Sequence, residues 1–397
     1  MTKIRSKLLL AFILISLIPL IVVGGYALTT ISNSLRAASN DKLEDKVTLI
    51  SYGIEDFLKN VSTDLFYLRD SIPLQTMITG MNSSNFVQTE KARKNLELDF
   101  LAFSKHKSIY HQIRFLDTTG MEILRVDRNM GTSMIVPMGK LQNKKKRYYF
   151  ADTAKLANGE LMISPLDLNR EKGQVEQPLR PVIRYGTPVY DDNNQLQGIV
   201  LFNVLADKFL ELVRQKNKGS EKALFVSDKG FYYSNPDSKK EWGGKTDLDT
   251  GNNFAQDFPS IANQVLGSSY FKTLDHDQYI VATAPVFLDT EKNRMLGSIV
   301  SIIPTAEVFS SVTKFRNIFL GISAAVFLAT LFLGIGLAKS ITDPIVYLTE
   351  MTQAMSKGQL STPVEVTSND ETKLLAESVE RLRRSMTLLL KRMRKKK

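Results

Sequence analysis

Residues 110–127 read YHQIRFLDTTGMEILRVD. Two short β-rich runs, 110–116 and 121–127, flank Asp117-Thr118-Thr119-Gly120, and a Gly-terminated turn between such runs predicts a β-hairpin. The same cadence returns about 100 residues later: Phe115-Leu116-Asp117-Thr118-Thr119-Gly120 is echoed by Phe225-Val226-Ser227-Asp228-Lys229-Gly230. Likewise Pro188-Val189-Tyr190 before Gly198-Ile199-Val200 is echoed by Pro285-Val286-Phe287 before Gly297-Ser298-Ile299-Val300. Two echoes in the same order indicate an internal duplication. With further strands expected at 161–164, 181–190 and 198–204 and a helix at 205–216, the fold class is α+β, two antiparallel modules in tandem.

Working outward, 40–68 carries apolar residues at Leu43, Val47, Ile50, Ile54, Leu58, Val61, Leu65 and Leu68, in steps of 3 or 4. That spacing predicts one face of a long helix. On either side of the whole arrangement lie two stretches without a charged residue, Leu8 to Leu28 and Ile318 to Ala338, each 21 residues long. At about 1.5 Å rise per residue each spans roughly 30 Å of hydrocarbon, so both read as transmembrane helices. A cleaved signal peptide is the alternative for the first. Its apolar length and the poor cleavage context at Gly24-Gly25-Tyr26-Ala27-Leu28 argue for a retained anchor.

Of 397 residues, 52 are Lys or Arg and 41 Asp or Glu, a net charge of +11. Lys3, Arg5 and Lys7 precede the first span, and 12 basic against 7 acidic residues follow the second. Eight of the eleven charges therefore sit on the two ends, and the positive-inside rule places both ends in the cytoplasm and 29–317 outside. The basic tail lacks interleaved aromatic residues, which speaks against a nucleic-acid partner. With no cysteine at all, disulfides, Cys-based metal sites and thiol catalysis are excluded.

A long helix rising from a first span, two PAS-like modules and a return through a second span resemble the double Cache sensor domains of bacterial and archaeal transmembrane receptors. The runs that carry the resemblance are Leu141-Gln142-x-Lys144 to Tyr149-Phe150, Ile163-Ser164-Pro165-Leu166-Asp167-Leu168-Asn169-x-Glu171-x-Gly173, and Pro181-Val182-Ile183-Arg184 with Thr187-Pro188-Val189. In the second module Tyr232-x-x-Asn235-Pro236-Asp237-x-x-Lys240-Glu241-Trp242-Gly243 is similar too. These runs resemble the subgroup found in sensor histidine kinases and diguanylate cyclases. The resemblance implies a membrane-distal module at about 72–205 that holds a ligand and a membrane-proximal module at about 217–305.

The chemistry available in the distal module is basic and aromatic: Lys144, Lys145, Lys146, Arg147, Tyr148, Tyr149, Arg180 and Arg184. A guanidinium presents a two-pronged donor to a carboxylate, and tyrosine supplies an apolar wall with a hydroxyl. The expected ligand is a small anion, and the expected site residues are Arg147, Tyr149, Ser164, Arg184 and Asn203. The bland reading makes the lysines a solvated loop and has Arg184 cap Asp167 or Glu171. Amino-acid-binding members of the resembled group place an aspartate on the last strand where this chain has Asn203, which disfavours an amino-acid ligand.

Asp167-x-Asn169-x-Glu171 is not a calcium loop, since Lys172 stands where glycine is needed and Pro178 where a bidentate glutamate belongs. His276 in a turn is not expected to bind metal, and no cofactor or catalytic site is expected: the chain holds no phosphate-cradling glycine loop and no hydrolase or metalloprotease motif.

Beyond the second span, Ile341, Ile345, Leu348, Thr352 and Met355 step by 4 and 3, as do Leu375, Val379, Leu382, Met386, Leu389 and Met393. Two heptad seams on parallel helices require a second copy to bury them. The arrangement, with Pro344, Gly358 and Asp370-Glu371, resembles a HAMP domain at 339–391, followed by a basic tail at 392–397; Lys373 and Val379 depart from its usual glycine and phenylalanine. The expected relay residues are Pro344, Gly358, Glu371, Leu375, Val379 and Leu382. Residues 339–397 contain no histidine, so an output partner in the cytoplasm or a truncated output domain is expected. The whole reads as a homodimeric, non-enzymatic membrane receptor; the alternative is a protein-interaction module or a regulatory subunit without a small ligand.

Overall fold

A computed structural model describes residues 4–171, 173–217, 219–289, 294–365 and 370–394. The chain forms two compact units, Arg36–Val308 and a second built from Met1–Leu35 with Phe309–Lys397. Lys3 ahead of the first span, Lys172 of the rejected calcium loop and 395–397 of the basic tail lie outside the described residues.

In the first unit, α1 (Ile4–Arg69) presents the predicted stripe: Leu43, Val47, Ile50, Ile54, Leu58, Val61, Leu65 and Leu68 are all at most 2% exposed. Burial of such a side chain contributes about 1.5–3 kcal/mol, which makes this stripe the seat of the core. Next come α2 (Ile72–Asn82) and α3 (Phe86–His106). No helix is expected there, because in α3 the buried step-of-4 stripe Ala92, Leu96 and Phe100 is blurred by exposed apolar residues, Phe86, Val87 and Leu98, off that face. Its start is marked by Asn85, whose side chain accepts the Gln88 N–H at 3.1 Å, a helix N-cap.

The first sheet comprises β1 (Tyr110–Asp117), β2 (Glu122–Asn129), β3 (Thr132–Ile135), β4 (Met162–Ile163), β5 (Asp167–Leu168), β8 (Pro181–Tyr190) and β9 (Leu196–Leu205). Between its strands lie α4 (Tyr148–Thr153) and a small hairpin, β6 (Arg170–Glu171) with β7 (Gln174–Val175). Its order is β3-β2-β1-β9-β8-β4, with β5 also on β8. After α5 (Asp207–Arg214) the second sheet follows: β10 (Lys222–Ser227), β11 (Tyr232–Ser234), α6 (Phe254–Asp257), α7 (Ala262–Val265), β12 (Lys272–Asp275), β13 (Tyr279–Asp289) and β14 (Arg294–Pro304), in the order β11-β10-β14-β13-β12. A short α8 (Thr305–Val308) ends the unit.

The sequence echo is a structural equivalence. Asp117 pairs with Gly198 in the first sheet and Ser227 with Gly297 in the second. At each glycine a Cβ would meet a backbone carbonyl, Leu116 O at 2.2 Å and Val226 O at 2.3 Å, so no side chain fits. The helix α1 backs both sheets: Tyr110 Oη donates to Asp64, Glu55 accepts the Phe287 N–H at 2.8 Å, and Lys46 pairs with Glu221 at 2.8 Å.

In the second unit α9 (Ser310–Ser356) contains Pro344, and Gly358 just beyond it has φ +82°. Two helices, α1 and α9, are long and apolar enough to cross a membrane, and only 6% of each apolar window is buried, unlike a core helix. The helix α10 (Glu371–Arg394) begins at Glu371. Leu348, Val364 and Ala376 form a buried cluster with Val379 packed against it. Glu380 ties down Val364, in the stretch between α9 and α10, by accepting its N–H at 2.9 Å while pairing with Arg383 at 2.7 Å. Within one chain, Ala376 and not Leu375 is the buried position; Leu375, Leu382 and Leu389 are 50–59% exposed.

Candidate functional site

Strand alternation sends every second residue to the same face. Register places Gln112, Arg114 and Leu116 of β1 beside Asn203, Leu201 and Ile199 of β9, and Arg184 of β8 beside Asn203. The opposite face, with Tyr110 and Phe202 in contact at 4.6 Å and Phe103 of α3 against both, packs toward the helices. One end of the first face is apolar: Leu116, Ile199 and Leu201 cluster with Met162 and with Tyr149 and Phe150 of α4. The other end is polar and buried, with Gln112, Arg114, Arg184 and Asn203 at 2–7% exposure.

Tyr149 stands between the two halves, its ring centroid 5.5 Å from the Arg114 guanidinium and 5.8 Å from that of Arg184. Arg114 donates to the Asn203 side-chain oxygen, and Asn203 Nδ2 donates to Gln112 Oε1 at 3.1 Å. Arg184 donates to Asp167 Oδ1 at 2.8 Å and to Asn169 Oδ1 at 3.3 Å. Glu122 completes the cluster, 3.6 Å from Arg114 Nη1 and 3.8 Å from Arg125 Nη1, while Arg125 itself grips Asp127 at 2.6 Å.

Among the described residues, four cations, Arg114, Arg125, Arg184 and Lys144, thus meet three carboxylates, Glu122, Asp127 and Asp167, which leaves one positive charge in excess. Burial lowers the pKa of Lys144, with Tyr149 and Glu122 pulling the other way. Burial raises that of Asp167 against the pull of Arg184. For Arg184 burial opposes the charge, but Asp167, Tyr148 and Tyr149 together more than offset it and the pKa is raised. A site of this kind favours an added anion, because every buried cation is costly unless compensated.

Of the residues expected from sequence, the fold brings Tyr149, Ser164, Arg184 and Asn203 together. Ser164 serves the backbone, accepting the Arg184 N–H at 2.9 Å and donating to Pro165 O at 2.7 Å. Arg147 is not part of the cluster; it occupies the N-cap position of α4, exposed, with no side-chain hydrogen bond or ion pair among the described residues. Lys145 and Lys146 are solvated, as the bland reading holds, and Arg184 does cap Asp167. Arg180 faces away to His111 at 2.9 Å and Glu176 at 3.1 Å. Sequence reasoning missed Arg114, Glu122 and Gln112. The signal was present: Gln112 and Arg114 alternate with Ile113 and Phe115 in a strand with apolar neighbours on both sides.

Among the described residues, the matching face of the second sheet lacks this chemistry. Arg114, Arg184 and Asn203 correspond by register to Leu224, Val281 and Ile302, all part of one apolar cluster with Phe254 and Phe258. The duplication therefore produced one polar face and one filled core.

Residues 77–296, more than half the chain, match the bacterial histidine kinase sensor domain. The chain belongs to that family. Residues 336–387 match the HAMP domain. Among solved structures, the sensor resembles the extracellular domain of vpHK1S-Z8, described as a histidine kinase, at TM-score 0.58 and 19% identity, covering 72% of this chain and 99% of that one. A domain of a sensory box/GGDEF family protein from Vibrio parahaemolyticus follows at TM-score 0.57 and 20% identity, with 68% and 97% covered. The isoleucine-bound sensory domain of the Campylobacter jejuni chemoreceptor Tlp3 matches at TM-score 0.48 and 13% identity, with 70% and 98% covered. No curated protein matches. With a sensor domain of this family, a HAMP segment and two membrane-length helices, the chain is a sensory receptor whose fold is the tandem α+β one expected from its sequence.

Proposed function

We propose that this receptor senses a small organic anion at the polar face of its first module, outside the membrane, and relays the signal through HAMP to a cytoplasmic output protein. The observation that carries the reading is Arg114: buried, stacked near Tyr149, and with no carboxylate of the described residues closer than 3.6 Å. A buried guanidinium without a close carboxylate is a ready anion receptor. The module boundaries 72–205 and 217–305, both termini in the cytoplasm and a homodimer complete the proposal. Supporting the dimer are Leu375, Leu382 and Leu389, which recur every seven residues and remain half exposed in one chain, the pattern of a seam that a second copy buries.

The relay begins at the site itself. Asp167 holds Arg184, and its neighbour Leu168 donates its N–H to Asp247 of the second module at 2.9 Å; Arg170 adds a bond to Thr246 O at 2.8 Å. An anion that competes for Arg184 loosens this strap and so biases the packing of one module on the other. A ligand shifts such an equilibrium only through its differential affinity for the two states.

The test is a melting-temperature screen of the full chain in lipid nanodiscs against organic acids, amino acids and purines. A binder at about 100 times its Kd stabilises the folded state by about 2.7 kcal/mol. Organic acids should raise the melting temperature of the wild type and not of Arg114→Gln. No shift with any anion would instead favour a protein-interaction module.

A further inference from the structure

Glu122 is the least expected member of the site. Its carboxylate is fully enclosed, at 0% side-chain exposure. One oxygen, Oε2, accepts the Gln142 N–H at 3.0 Å. The other, Oε1, accepts no hydrogen bond; Arg114 Nη1 lies 3.6 Å from it, well beyond the roughly 2.7–2.9 Å of a charge-assisted bond. On Arg114 itself, Nε is also buried without an acceptor. An unused acceptor and an unused donor thus occupy adjacent, nine-tenths-buried side chains beside Tyr149. Native interiors rarely leave such pairs unfilled outside a functional site.

Resting on the anion reading above, we infer that Glu122 and Arg114 together read a hydroxycarboxylate, the guanidinium taking the carboxylate and Glu122 Oε1 accepting the hydroxyl beside it. Both halves follow from charge. The donor facing Glu122 must be neutral, because an ammonium there would sit among Arg114, Arg125 and Lys144. Nor does β9 offer a carboxylate to compensate it, since Asn203 is uncharged and already committed to Arg114 and Gln112. A hydroxyl donates to Glu122 without adding charge. It also leaves the single excess positive charge of the site to the ligand's carboxylate. Sites built to bond a hydroxyl reject analogues lacking it far more strongly than apolar pockets reject a missing methylene, because the enclosed acceptor is then left bare.

The experiment is calorimetric titration of the full chain in nanodiscs with two matched series: racemic lactate, propionate and alanine, then 2-hydroxyisocaproate, isocaproate and leucine. In at least one series the hydroxy acid should bind at least tenfold tighter than both its analogues. In Glu122→Gln that preference should fall about tenfold while the unsubstituted acid binds as well as before or better, which also certifies the variant's fold. Equal affinity for hydroxy and unsubstituted acids overturns the role of Glu122 and leaves the anion site standing. Tighter binding of the amino acid overturns the neutral-donor argument. Failure of every acid to bind overturns the anion reading itself, and this inference with it.

Discussion

Arg184 and Asp167 are joined by a 2.8 Å ion pair at the buried end of a sheet, and the residue after that aspartate, Leu168, is bonded to Asp247 of the other sheet's loop. One carboxylate therefore occupies the site's second guanidinium while its backbone neighbour holds the two modules together. Burial dominates at Asp167 and raises its pKa despite Arg184.

Asp167→Asn should strengthen anion binding severalfold, because the amide competes less for Arg184; calorimetry with racemic lactate measures it. The pH dependence has a definite sign. A carboxyl whose folded pKa is raised above about 3.8–3.9 takes up its proton earlier in the folded state, so its contribution to stability grows as pH falls through that window and is lost as pH rises. Neutral Asp167 no longer competes, so uptake of methanesulfonate, whose charge does not titrate there, should rise as the solution is acidified toward that window. Asp167→Asn should be flat over the same range, and an equally steep rise in the variant would rule out Asp167 as the cause.

His111 is 3% exposed, and burial with Arg180 nearby lowers its pKa. The unfolded chain therefore binds this proton at a higher pH than the folded one does. Stability from this group is present above about pH 6.5 and is lost as pH falls below it. Melting temperatures of His111→Gln between pH 5 and 7 should vary less with pH than those of the wild type. The neighbouring groups Arg128, Asn129, Glu176 and Asp127 are unchanged in the variant.

Gly198→Ala and Gly297→Ala should each destabilise the sensor, by about 1–3 kcal/mol for overpacking against a carbonyl that cannot yield. Denaturant titration checks this. A neutral result at either position would refute the equivalence of the two sheet edges.

The absence of cysteine allows clean crosslinking. Single cysteines at Leu375, Leu382 and Leu389 should form disulfide dimers faster than one at Ala376, which is buried within its own chain. Anion at saturation should change those rates, and identical rates with and without it would separate binding from the HAMP segment.

Much of this was legible from local pattern. The α1 stripe, the principal strands, the two apolar helices and the tandem repeat follow from periodicity, which depends only on which face meets the core. The helices at 72–106 were not legible, because in α3 exposed apolar residues, Phe86, Val87 and Leu98, interrupt the stripe of Ala92, Leu96 and Phe100. Of the residues expected at the site, Tyr149, Arg184 and Asn203 share one face of the first sheet, whereas Arg147 lies apart from them. Its exposure at a helix start is a matter of where α4 begins, one residue ahead of the first inward tyrosine.

By itself the sequence determined the strongly periodic elements and their duplication, since these rest on short-range spacing and on the polarity of each face. Only the tertiary structure decided which polar groups meet. Arg114 and Asn203 are 89 residues apart along the chain, and only strand register brings them side by side. The same register sets Leu224 and Ile302 at the matching positions of the second sheet, so one repeat encloses a charged site and the other an apolar core.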